Sequence, residues 1–139
     1  MKILVLAVAF AAAILTAPAS ASSPRSGDLN ATKECSGYTG DAGSFCTITS
    51  SNLAAIEVGS KIVYLQPAAL FTPAGSDVVL DPPGPGNNAA YGNCSLAVGQ
   101  CTFSGGKGKF TWFHASVAVS YLGGLNWAWD GTYSFSPKG

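Results

Sequence analysis

His114 is the only histidine in the chain, and its ordinary pKa suits proton transfer near neutral pH. An α/β-type serine hydrolase would need a G-x-S-x-G turn that exposes the nucleophile, and the sequence has none. Strand periodicity over residues 109–121 places His114 on the face opposite an apolar set, so we expect a surface position. The sequence therefore assigns no catalytic residue and makes a hydrolase improbable.

Four cysteines, Cys35, Cys46, Cys94 and Cys101, are the other reactive side chains. An even number of cysteines in a short chain that begins with an apolar, signal-like segment predicts two disulfides, with three pairings open. We favour Cys35–Cys46 and Cys94–Cys101, because each closes a short glycine-containing loop between neighbouring predicted strands. A four-thiolate zinc site needs closer spacing within each pair. We expect no metal and no cofactor.

Seven carboxylates are dispersed along the chain, and none is adjacent to another in sequence. Glu57 and Asp77 flank predicted strands, and Asp130 lies within one. Two of them could meet at the mouth of a barrel as general acid and base. Asp130, which precedes Gly131, fits equally well as a solvent-facing residue beside a bulge or bend.

The first 21 residues have the three parts of an export signal. Lys2 precedes an uncharged apolar run over residues 3–15, and Pro18 and an A-x-A pattern that ends at Ala21 follow. The run is shorter than the roughly 20 residues that a membrane-spanning helix needs. We expect cleavage after Ala21, a secreted or periplasmic location, and no membrane association of the mature protein.

The remaining 139 − 21 = 118 residues suffice for one domain. They carry six basic and seven acidic residues, and the largest basic cluster is the pair Lys107 and Lys109. Nucleic-acid binding depends on a larger basic patch, so we expect no such partner. Self-association stays open.

The domain is predicted to be an all-β, antiparallel, closed barrel of about eight strands over residues 34–139. Residues 22–33 are polar without apolar periodicity and are predicted to be a flexible arm. Strand signals separated by glycine and proline recur at residues 44–50, 61–65, 77–80, 90–98, 100–103, 109–121 and 126–136. One or two further strands are expected before Ser44 and around Leu70.

The last two strand candidates are the most informative segment. Residues 105–108 are predicted to form a tight turn, and a three-residue loop at 122–124 would pair Val117 with Trp129 and Val119 with Trp127. This register separates apolar from polar faces, whereas a two-residue Gly123-Gly124 turn would mix them. The predicted lumen-lining, ligand-contacting residues are Phe113, Val117, Trp127, Trp129, Tyr133 and Phe135. A small barrel lined in this way either is filled or holds one small ligand.

Residues 104–110 (SGGKGKF), 115–119 and 129–135 (WDGTYSF) resemble the closing hairpin of the allene oxide cyclase and dirigent-type barrels. Lys107 stands where the family's G-G-T-G-x-F motif has threonine. Residues 46–52 and 59–64 are similar to an exported branch of that superfamily. The resemblance implies an eight-stranded antiparallel barrel with an apolar lumen. It also implies cofactor-free chemistry, in which cyclases shape a ring closure and dirigent proteins orient phenoxy radicals.

Together these features predict an exported small barrel that binds a small hydrophobic or aromatic molecule, with cyclisation or isomerisation as the reaction if it is an enzyme. The lone histidine and the dispersed carboxylates favour binding over catalysis. The alternative is a non-enzymatic extracellular structural or protein-interaction module with a filled core.

Overall fold

The computed structural model describes residues 25–67 and 71–137, so the predicted signal peptide over residues 1–21 lies outside the described residues. Eight antiparallel strands form a closed barrel in which each strand pairs with the next and β8 pairs with β1. This confirms the predicted all-β, eight-stranded barrel. The strands are β1 Ser26–Glu34, β2 Phe45–Ser51, β3 Lys61–Tyr64, β4 Ser76–Asp81, β5 Ala89–Ser95, β6 Gln100–Lys107, β7 Phe113–Gly123 and β8 Asn126–Phe135.

β1 corrects the sequence analysis, because it occupies most of the segment predicted to be a flexible arm over residues 22–33. It pairs with β8 at nine positions, from Ser26 to Glu34, and with β2 on its other side. Closure of the barrel thus gives this polar segment two hydrogen-bonding neighbours. Its inward positions, Leu29, Ala31 and Lys33, are buried. Two apolar residues are too few for a recognisable alternating pattern, which is why the strand was missed.

Both predicted disulfides, Cys35–Cys46 and Cys94–Cys101, are confirmed. Cys94 and Cys101 are direct cross-strand partners in β5 and β6, and Cys35 follows β1. Both bonds lie at the end of the barrel formed by residues 35–44, 65–67, 71–75, 96–99 and 124–125. We call this the lysine end, after Lys33 near the end of β1. The opposite end is formed by residues 52–60, 82–88 and 108–112.

The faces of β7 and β8 are as predicted, but their register differs by two residues. Val117 pairs with Gly131 and Val119 pairs with Trp129, instead of Val117 with Trp129 and Val119 with Trp127. Gly123, with a φ of 105°, pairs with Asn126, and a bulge takes up the residue before Gly123. The two-residue loop and the bulge together preserve which face points inward.

The predicted tight turn at residues 105–108 is wrong. β6 runs on to Lys107, and a 3-10 turn at Gly108–Phe110 makes the connection to β7. Gly106 lies against the backbone carbonyl of Ala89 and against Phe110, where a Cβ would overlap both. The glycine run therefore permits close contact between neighbouring strands before the chain reverses.

An aromatic cluster fills the middle and the opposite end of the lumen. The Phe113 ring lies 5.2 Å from that of Phe110 and 5.1 Å from that of Phe135, measured between centroids. Phe103 continues the cluster, with centroids 6.1 Å from Phe113 and 5.6 Å from Trp129. Such tilted and edge-on contacts are favourable for aromatic pairs. Trp129 marks the boundary between this filled part and the lysine end.

Candidate functional site

A buried lysine occupies the lysine end of the lumen. Lys33 is 1% exposed, and its Nζ donates a hydrogen bond of 2.7 Å to Tyr64 Oη. Tyr64 Oη in turn donates to Cys46 Sγ at 3.4 Å. The Nζ also lies 5.5 Å from the centroid of the Tyr64 ring and 5.3 Å from that of the Trp129 ring. β1, β2, β3 and β8 each supply one of these residues, so the closed barrel positions the whole group.

No carboxylate among the described residues pairs with Lys33. The one ion pair in residues 25–67 and 71–137 joins Lys109 to Glu57 at the opposite end. Glu34, the next residue along β1, instead accepts hydrogen bonds from the backbone N–H and the hydroxyl of Ser36. The two ring contacts of Lys33 favour its charged form, but they do not replace a counter-ion.

Burial shifts the pKa of both polar groups. Desolvation lowers the pKa of Lys33 to about 7. For Tyr64, desolvation first and the nearby Tyr38 second raise the pKa above its ordinary value. Near neutral pH, Lys33 is therefore a mixture of ammonium and free amine, whereas the Tyr64 hydroxyl stays protonated. A neutral amine beside a phenol can act as a nucleophile, a base or a hydrogen-bonding group.

A cavity of about 150 Å³ adjoins Lys33. Two of its lining residues, Phe71 and Leu125, are 63% and 52% exposed and form its outer rim. An engineered apolar cavity of about this volume holds benzene, so the space suits one ring or a short chain. The lining residues are Lys33, Cys35, Tyr38, Cys46, Phe71, Leu96, Leu125 and Trp127.

The six residues predicted to line a ligand site mainly fill the core. Trp127 alone among them lines the cavity beside Lys33. Phe135 is partly buried against the core. Trp129 is fully buried, and its Nε1 has no hydrogen-bond partner among the described residues. The other three, Phe113, Val117 and Tyr133, are also buried.

The other candidate chemical groups are not brought together. His114 lies half-buried on the outer face of β7, in a groove that it shares with Ser116, Thr132 and Ser134. Among the described residues, no cluster of three histidine, cysteine or acidic side chains could hold a metal.

The three singled-out carboxylates lie in different parts of the fold. Glu57 pairs with Lys109 at the opposite end. Asp77, near the start of β4, accepts a hydrogen bond from Gln66 Nε2 on its carboxylate and donates its backbone N–H to Gln66 Oε1. Asp130, in the middle of β8, accepts one from Asn30 on β1. No two of the three share a barrel mouth, so this arrangement does not form the acid–base pair considered above.

Sequence reasoning missed the central residues of this site, Lys33 and Tyr64. A signal was present in β1, where Leu29, Ala31 and Lys33 alternate with polar Asn30 and Thr32. A lysine at the third inward position of such a short pattern reads as solvent-exposed unless the strand is known to close a barrel.

Comparisons with protein-family models, with curated proteins and with solved structures find no match for this chain. The fold and the site instead define a structural class, a disulfide-stapled antiparallel barrel with a buried lysine beside a small apolar cavity. In the described part of the chain, no helix has the length and apolar character needed to cross a membrane.

Proposed function

We propose that this protein is an exported barrel that binds one small hydrophobic or aromatic molecule at its lysine end. The observation that carries the proposal is the cavity of about 150 Å³, which has mostly apolar walls and Lys33 among its lining residues. Small-molecule sites commonly combine an apolar lining with a few polar groups that fix orientation.

The aromatic cluster limits where a ligand can bind and how large it can be. Because Phe103 and Phe113 fill the lumen beyond Trp129, the ligand is confined to the lysine end. The cavity is smaller than the roughly 300–1,000 Å³ of drug-sized sites, so a single ring or a short alkyl chain fits best. The exposed rim residues Phe71 and Leu125 would contact such a ligand on its way in.

Three features support export and a family assignment. The signal-like residues 1–21 and the two disulfides favour an extracellular or periplasmic location. The closing-hairpin resemblance supports membership in the allene oxide cyclase and dirigent superfamily.

If the ligand is also transformed, we propose a cofactor-free cyclisation or isomerisation in which Lys33 and Tyr64 move the proton.

Amide chemical shifts of ¹⁵N-labelled protein titrated with benzyl alcohol test the binding site. We expect saturable shifts at Lys33, Leu96 and Trp127. Leu96→Trp fills the cavity and should weaken binding at least tenfold. Val58→Trp, at an exposed position of the opposite end, is the matched control and should leave affinity unchanged. Shifts spread over the outer faces, or an affinity indifferent to Leu96→Trp, would contradict the proposal.

A second candidate function is a protein-interaction module, favoured by the aromatic cluster that fills the middle and the opposite end of the lumen and by exposed apolar side chains in the loops of the lysine end. These are Leu65, Phe71, Val98 and Leu125. Clustered exposed apolar residues commonly mark interaction sites. Failure of small apolar probes to shift the cavity amides would favour this function over ligand binding.

A further inference from the structure

We propose that Lys33 captures a small hydrophobic aldehyde as a covalent imine, with the Tyr64 hydroxyl assisting at the carbonyl oxygen. This inference rests on the proposed ligand site and names the chemical class of its ligand. Lys33 lines the cavity, is 1% exposed, and lies 2.7 Å from Tyr64 Oη. It combines a nucleophilic nitrogen, a hydroxyl that can donate a hydrogen bond and an apolar space for the rest of the ligand.

Lys33 is the best nucleophile on the cavity wall. The two cysteines there, Cys35 and Cys46, are joined in a disulfide and offer no thiolate. The remaining lining residues are apolar or aromatic, apart from the Tyr38 phenol. A carbonyl carbon placed in the cavity would therefore find the Lys33 amine as its reaction partner.

The protonation of Lys33 favours a reactive carbonyl over an acidic ligand. With its pKa lowered to about 7, about half of Lys33 is free amine at pH 7. An ordinary lysine is free amine in roughly one molecule in 2,500 at that pH. A carboxylate ligand would bring a second charge into an apolar space, where desolvation offsets most of the ion-pair attraction. A neutral imine leaves no charge to solvate.

The reaction balances without an oxidant or a reductant. The Nζ lone pair forms a bond to the carbonyl carbon, while the C=O π electrons move to oxygen. That oxygen gains a proton and the nitrogen loses one, and Tyr64 Oη is placed to mediate the exchange. The hydroxyl then takes up a second proton and leaves as water while the nitrogen lone pair forms the C=N bond, and the nitrogen gives up its second proton. Aldehyde and amine become imine and water, and hydrolysis reverses the reaction.

Reductive trapping at pH 7 with benzaldehyde and cyanoborohydride, followed by intact-mass analysis and peptide mapping, tests the inference. We expect one benzyl group on Lys33. Lys33→Met should remove this adduct, whereas Lys61→Met, at an exposed lysine, should retain it. Tyr64→Phe should slow trapping about 100-fold, a typical loss for a general acid. Peptide mapping separates Lys33 from the α-amino group, whose ordinary pKa of about 8 also leaves part of it as free amine at pH 7.

The proposed imine would be contradicted if the parent protein and Lys33→Met were labelled equally. It would also be contradicted if the labelling of each lysine increased with its solvent exposure. Benzyl alcohol and benzoate distinguish the two proposals. If benzyl alcohol binds the cavity and benzaldehyde leaves Lys33 unlabelled, the imine is wrong and the proposed function stands. If benzoate binds and Lys33 is still not labelled, the lysine is an anion partner instead. If none of the three binds, both proposals fail.

Discussion

The two ends of this barrel are made by the same eight strands, yet their interiors differ. At the opposite end, Phe110, Phe113 and Phe135 pack ring against ring, and the charged groups lie outside. At the lysine end, a buried amine and a cavity of about 150 Å³ interrupt the apolar interior. Both disulfides lie at this less well packed end. The comparison suggests that covalent cross-links stabilise the end where hydrophobic contacts are incomplete.

The free energies expected for the disulfides and for the buried lysine agree with that interpretation. A disulfide that closes a loop of the size seen here contributes about 2–3 kcal/mol to the free energy of unfolding in the chain-entropy model. Two of them therefore offset a buried amine that has no counter-ion and whose desolvation costs several kcal/mol. Sites that break the rules of core formation are where binding or catalysis is most often found.

The largest expected effect comes from removing the central ring of the opposite end. Phe113→Ala should lower the free energy of unfolding by about 3–5 kcal/mol, because Phe113 is fully buried and the cavity left behind is lined by rigid rings. Leu125→Ala, at the exposed rim of the lysine end, should change it by less than about 0.5 kcal/mol. Urea unfolding of both variants measures the difference.

Similar losses for Phe113→Ala and Leu125→Ala would remove the distinction between a filled and an incompletely filled end. The residues around the cavity at the lysine end would then be packed as rigidly as those of the aromatic cluster. It would be a poor candidate for a ligand site.

How far the sequence predicts this architecture depends on the segment. Alternating apolar residues and glycine boundaries predict seven of the eight strands, β2 to β8, and cysteine spacing predicts the disulfides. They also predict that Phe113, Val117 and Trp129 face inward. Each of these signals is local: it compares residues within one strand or across one loop. Such signals were sufficient for the fold class.

Lys33 could not be recognised in the same way, since its burial depends on non-local pairing. β1 becomes a strand because β2 and β8 close on it, and β8 begins some ninety residues later in the chain. Lysine alone predicts exposure in nearly every context. The hairpin register was wrong for a related reason: the chain reverses at residues 124–125 and carries a bulge after Tyr121, and together these shift the pairing by two residues without changing which side chains face inward.

A smaller effect, specific to the lysine end, is a dependence of stability on pH. Unfolding restores the pKa of Lys33 from about 7 to its ordinary value of 10.5, so the unfolded chain binds more protons between these values. Stability therefore rises with pH above 7, and below pH 7 the full desolvation cost remains. From pH 7 to pH 9, we expect the contribution of Lys33 to rise by about 2 kcal/mol.

Urea unfolding of the parent protein and of Lys33→Met, repeated across this window, isolates the contribution of Lys33. The titratable groups that face it are Tyr64 and Tyr38, and both phenols stay protonated below pH 9 in the unfolded chain. Glu34 points away, toward Ser36. A stability difference between the two proteins that is constant with pH would mean that Lys33 is charged throughout. A shifted lysine pKa would then no longer distinguish the lysine end from the opposite end.

The smallest effect belongs to the charges of the opposite end. Lys109 Nζ lies 2.6 Å from Glu57 Oε2, but the two side chains are 31% and 48% exposed, so water screens their attraction. A double-mutant cycle with Lys109→Met and Glu57→Gln should give a coupling free energy of about 0.2–1 kcal/mol, lost at high salt. Lys109→Met should cost slightly more than Glu57→Gln, because Lys109 also lies 5.7 Å from the Phe110 ring centroid. A coupling above about 2 kcal/mol that resists salt would show a desolvated pair, and the opposite end would then resemble the lysine end in carrying buried charge.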